Sequence, residues 1–83
     1  MSRFVATIHV RPKTEIRDPQ GEAVAAALRS LGLAVDEVRT GKEIVVRFSA
    51  SGVPEASATA QRMGDELLAN PVIEDYTVEV AEA

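Results

Sequence analysis

An α+β fold is predicted by three observations. Four stretches carry the alternation or the β-branched residues of strands, at 3–10, 35–39, 43–48 and from Val72 onward. Two others, opening at Pro19 and Pro54, repeat apolar residues every three or four positions, as a helix with one buried face does. The order is strand, helix, strand, strand, helix, strand. With right-handed crossovers this folds most simply as a ferredoxin-like βαββαβ sandwich, a four-stranded antiparallel sheet carrying both helices on one face.

In the first strand Phe4, Ala6, Ile8 and Val10 alternate against Arg3, Val5, Thr7 and His9, and Pro12 closes it. Asp18-Pro19 starts the first helix, since the carboxylate accepts a bond from the first free amides and proline suits the first helical position. Val24, Ala27, Leu28 and Leu31 form its apolar stripe. Gly32 supplies a left-handed cap, and Leu33 packs back on the last turn. Thr40-Gly41-Lys42 is short enough to join 35–39 and 43–48 in a hairpin, with Ile44, Val46 and Phe48 toward the core and Glu43, Val45 and Arg47 away from it. The second helix repeats Ala56, Ala60, Met63 and Leu67, a stripe small enough for close approach to a sheet, and Gly64 weakens it locally. It ends near Ala69, because Asn70 tolerates the left-handed backbone just past a helix and Pro71 cannot donate the next bond. Val72, Ile73, Tyr76, Val78 and Val80 then make the last strand, alternating from Tyr76 with Thr77 and Glu79. The sheet face without helices carries Val5, Thr7, Val45 and Thr77 among charged residues, a plausible subunit interface.

A chain of 83 residues is read as one domain, 1–83, and at this size only about 60% of the unfolded surface is buried. It has no cysteine and one histidine, so neither a disulfide nor a Cys/His metal site reinforces that core. Self-association is the remaining common device. A net charge of −4 with scattered Lys and Arg, and only three aromatic rings, speaks against nucleic acid. No stretch is apolar for long enough to span a bilayer and no secretory signal opens the chain, so a cytoplasmic protein is expected.

Each candidate for chemistry has a simpler structural explanation. His9 faces outward, and nothing near it in sequence supplies a nucleophile or carboxylate. Glu74 and Asp75 are strand neighbours pointing to opposite faces, so they do not serve one substrate. Asp18-Pro19-Gln20-Gly21 opens a helix whose free amides suit an anion, but the Asp18 carboxylate already occupies them. Gly21 costs roughly 0.5–1 kcal/mol in a helix relative to alanine, which close approach of another backbone explains. Arg39-Thr40-Gly41-Lys42 lacks the spacing of a phosphate loop.

Taken together, Asp18-Pro19-Gln20-Gly21, Val38-Arg39-Thr40-Gly41-Lys42 and the run Leu67-Leu68-Ala69-Asn70-Pro71-Val72-Ile73-Glu74-Asp75-Tyr76 closely resemble the PurS subunit family of phosphoribosylformylglycinamidine synthase. The resemblance runs from the first strand through Tyr76. It implies a small non-catalytic subunit with no cofactor of its own. In that family a PurQ glutaminase releases ammonia, and a PurL synthetase uses ATP and Mg to place it on formylglycinamide ribonucleotide. PurS-like chains associate with themselves, as dimer or tetramer, and bridge the other two. The residues expected at subunit contacts are Asp18, Pro19, Gln20, Gly21, Arg39, Gly41, Lys42, Asn70, Pro71, Glu74, Asp75 and Tyr76. Two other classes share the fold pattern. One is a regulatory module binding a small ligand between protomers. The other is an acyl-phosphate hydrolase, for which Arg11-Pro12-Lys13-Thr14-Glu15 lacks the glycine of a phosphate-cradling loop.

Overall fold

A computed structural model describes residues 1–83. The elements are β1 (Ser2–Pro12), α1 (Pro19–Ser30), β2 (Lys42–Ala50), α2 (Val53–Met63), a π-helical turn (Gly64–Leu68) and β3 (Glu74–Glu82). The strands form one antiparallel sheet in the order β2-β1-β3, so the long first strand is central. Phe4, Ala6, Ile8 and Val10 are all buried. Ile8, for example, lies between Ile44 and Val78, and Ala6 between Val46 and Val80. These are the inward rows that the alternation predicts. Ala56 and Ala60 are fully buried against them, because a methyl side chain lets the α2 backbone lie close to the sheet.

The fourth strand is not formed within the chain. Residues 35–39 run back beside α1 with no backbone partner, and no hairpin closes at Thr40-Gly41-Lys42. The cause is polar. Arg39 Nη2 donates to the carbonyls of Lys13 and Ile16 at 2.9 and 2.8 Å, and the Thr40 amide donates to Asp18 at 2.6 Å. These bonds draw 39–40 toward the start of α1 and away from a tight turn.

Within one chain only α2 covers the sheet, and α1 with 33–41 projects as an arm. None of its residues joins either core cluster. The molecule is 51 Å long and 14 Å thick, and an eleven-residue strand spans about 36 Å, so the arm supplies much of the remainder. The predicted core stripe of α1 is therefore open to solvent, with Val24 39% and Leu31 75% exposed. Both helix ends are as expected. Asp18 Oδ1 accepts the Gly21 amide at 2.9 Å. Gly32 takes φ 84° while the Gly32 and Leu33 amides return to Arg29 and Leu28, a Schellman cap.

The end of the second helix departs from the periodic reading by one position. The Ala69 amide reaches back five residues to the Gly64 carbonyl, and this wider turn rotates the following side chains. Leu68 consequently packs on the core while Leu67, predicted inside, is 82% exposed. Asn70 is not left-handed, since no residue other than glycine has positive φ. The π turn already releases the chain into extended backbone at Ala69. Asn70 acts instead through its side chain, whose Oδ1 accepts the Val72 amide at 3.0 Å, and through its carbonyl, which accepts the Ile73 and Glu74 amides. Val72 and Ile73 thus belong to the turn, and β3 begins at Glu74.

Candidate functional site

The three sequence words meet at one end of the sheet, where β1 finishes, β2 begins and β3 begins. At the arm base, Asp18 is 6% exposed. Its carboxylate accepts the Gly21 amide, the Thr40 amide and the Thr40 hydroxyl, the last at 2.9 Å. The two backbone amides, Thr40's first, hold its carboxyl below the ordinary carboxylate range. Such a group is neither a base nor an open anion site; it is a clamp. Gly21 has no room for a side chain, because a Cβ there would collide with the Val38 carbonyl. The close backbone approach expected at that glycine is real. Pro19 and Gln20 are exposed in the first turn of α1.

The second cluster surrounds Tyr76. Its ring lies over Gly64, where a Cβ would stand 2.5 Å from Tyr76 Cε2. Its hydroxyl is 2.7 Å from Asp65 Oδ1 and 3.0 Å from the Gln61 carbonyl. The bond to Asp65 raises the pKa of the phenol. Glu74 accepts the Asn70 amide at 2.7 Å and approaches Lys42 at 3.8 Å, while Asp75 accepts from Lys13 at 2.8 Å. Glu74 and Asp75 do point to opposite faces. Lys13, Asp65, Pro71, Glu74, Asp75 and Tyr76 rim an open hollow of about 400 Å³.

Lys13 ties the two clusters together. Its carbonyl receives Arg39, its amide donates to Ile73 at 2.9 Å, and its ammonium, with a pKa raised by the Asp75 bond, reaches β3. Residue patterning missed it. Lys13 follows the proline that ends a strand and has no periodic context, so only the contact 62 residues away reveals it. Asp65 was missed likewise, as the partner of Tyr76. Gly41 and Lys42 lie beside Val10, Arg11 and His9 at the start of β2.

His9, without a partner in its own stretch, is flanked by carboxylates from both neighbouring strands. Nδ1 is 3.8 Å from Glu43 and Nε2 is 3.4 Å from Glu79. The three residues lie side by side on the outer face, where Val45 is 46% exposed and Val5 and Thr7 are half-buried.

The family model for PurS, phosphoribosylformylglycinamidine (FGAM) synthase, matches residues 5–82. The PurS subunit of that synthase from Thermotoga maritima is 37% identical over 79 residues, covering 94% of this chain and 96% of the relative. The Bacillus subtilis PurS subunit is 40% identical over 80 residues, covering 95% and 94%. The solved structure of Thermus thermophilus PurS aligns with a TM-score of 0.91 at 44% identity over 98% of both chains. A chain in the structure of PurLQS from Thermotoga maritima aligns with a TM-score of 0.86 at 37% identity over the whole of both. The α+β fold agrees with these neighbours. With its family model matched from the first strand to the last, this chain belongs to the PurS family of phosphoribosylformylglycinamidine synthase subunits.

Proposed function

We propose that this chain is the small, non-catalytic subunit of a phosphoribosylformylglycinamidine synthase, holding PurQ and PurL in fixed relation. The observation that carries this is the full-length likeness to a chain of the PurLQS structure. Its physical sense is that ammonia freed into water diffuses away or is protonated, so the sites that make and use it must be held together. In this reading ATP and Mg are used by the synthetase and not by this chain, which works in the cytoplasm as a single domain. No helix is long and apolar enough to cross a membrane. The chain associates with itself and offers partners the end of the sheet where Asp18 to Gly21, Arg39 to Lys42 and Asn70 to Tyr76 gather.

The polar groups there support an adaptor. Asp18, Lys13, Arg39 and Tyr76 each spend their hydrogen bonds inside the chain, so they fix a shape. Glutamine-dependent synthesis by PurQ and PurL, assayed with and without this chain, tests the proposal. A large gain on adding the chain is expected; equal rates overturn it.

A further inference from the structure

We infer that the free edge of β3 is a docking edge for an extended segment of another protein, one in which apolar and basic residues alternate, joined to the sheet as an added strand. This adds a mode of contact to the adaptor reading and stands without it.

The Ala83 amide donates to the Arg3 carbonyl at 3.0 Å and the Lys13 amide to the Ile73 carbonyl at 2.9 Å, and the register between these two bonds has no bulge. In an antiparallel ladder such bonded pairs recur at every second residue, so the odd-numbered residues of β3 turn their backbone groups toward β1. Tyr76, Val78 and Val80 therefore present an amide and a carbonyl each to the open side, where no strand lies. None of the usual devices blunts this edge. β3 is nine residues long, more than the common strand, and contains neither proline nor lysine. No charged side chain turns inward between Tyr76 and Val80.

The edge also has a wall. α2 lies mainly over β3, and Gln61, Tyr76, Thr77 and Val78 border a hollow of about 350 Å³. Tyr76, Val78 and Val80 pack on the core yet stay only half-buried. Apolar side chains at alternate positions of an added strand continue their row, and one of them enters the hollow. The other row of the added strand lies beside Asp75, Thr77 and Glu79 on the outer face. Here charge selects the occupant. β3 carries Glu74, Asp75, Glu79 and Glu82 and no lysine or arginine. Lys13 holds Asp75 and Lys42 approaches Glu74, but Glu79 meets only His9 and Glu82 meets no cation. Basic residues in the added strand complete these pairs. The β3 of a second copy does the reverse, bringing the same four carboxylates to the same edge. β2, the opposite edge, carries Lys42 and Arg47 and is less covered by α2.

Amide hydrogen exchange on the full chain tests this with two short capped peptides, one alternating valine with lysine and the other valine with glutamate. The lysine peptide, at about ten times its dissociation constant, is expected to slow exchange at the Tyr76, Val78 and Val80 amides about tenfold and to leave the β2 amides unchanged. The glutamate peptide is expected to do neither. A chain made by chemical synthesis with a methyl group on the Val78 nitrogen keeps every side chain and every bond to β1, and should lose the protection. If circular dichroism shows that chain to be unfolded, Glu79→Lys combined with Glu82→Lys gives a second readout, in which the preference between the two peptides reverses. No protection, equal protection by both peptides, protection spread over β2, or a preference that survives the charge reversal overturns the inference. Neither peptide result draws on the synthesis assay, so the adaptor reading and the docking edge stand or fall separately.

Discussion

Asp18 and Thr40 are joined by both the amide and the hydroxyl of the threonine, 22 residues apart in sequence, at 2.6 and 2.9 Å. The clamp works only with an ionised carboxylate. Because folding lowers the Asp18 pKa, its contribution is complete above the ordinary carboxylate range near about 4 and is lost as pH falls through the lower folded value. Asp18→Asn should unfold more readily than wild type at neutral pH, with the two converging in acid. Urea unfolding across that range checks it, and parallel curves would refute the clamp.

Tyr76 supplies the opposite limb. Its pKa is raised by the bond to Asp65, so the stabilisation is full below about 10 and disappears as pH climbs through the folded value. Tyr76→Phe should be less stable at neutral pH and lose less on going alkaline. Near-UV absorbance titration of wild type should show the phenol ionising above its free value.

Gly64 has no spare space beneath the Tyr76 ring. Gly64→Ala is expected to cost about 1–3 kcal/mol, the usual range for overpacking a filled site, although alanine is the better helix former. A denaturation midpoint equal to or above that of wild type would contradict the contact.

Leu67 and Val72 flank the Asn70-Pro71 turn and are 82% and 77% exposed. Burying one such side chain is worth about 1.5–3 kcal/mol, so Val72→Asp should raise the concentration of this chain needed for half-maximal synthesis about tenfold or more. Its circular dichroism should not change. Unaltered dependence on concentration would remove this turn from the contact surface.

The three strands, the caps of α1 and the buried alanines of α2 were legible because each follows from local rules: alternation, capping chemistry, side-chain size. Val35–Arg39 was misread because its two valines suit a strand, but Arg29 holds the Val35 and Asp36 carbonyls while Arg39 and Thr40 are anchored on Lys13, Ile16 and Asp18, contacts whose reach sequence order does not display. Leu67 was misread because a single π turn shifts every later side chain, and Gly64, the residue that admits Tyr76 there, registered only as a weak helix former. Of the candidate site, the words were visible and their convergence was not. That convergence depends on Lys13, a residue with no pattern around it.

A slab 14 Å thick has almost no inside. Twelve of 83 residues are buried, too few for the chain to stand far from unfolding when dilute, so its melting temperature should climb with its own concentration. In a cell, copies made in excess of available partners would be the first to open and the first to meet a protease. The supply of this subunit would then be trimmed to the number of complexes it can join, with no dedicated regulator needed.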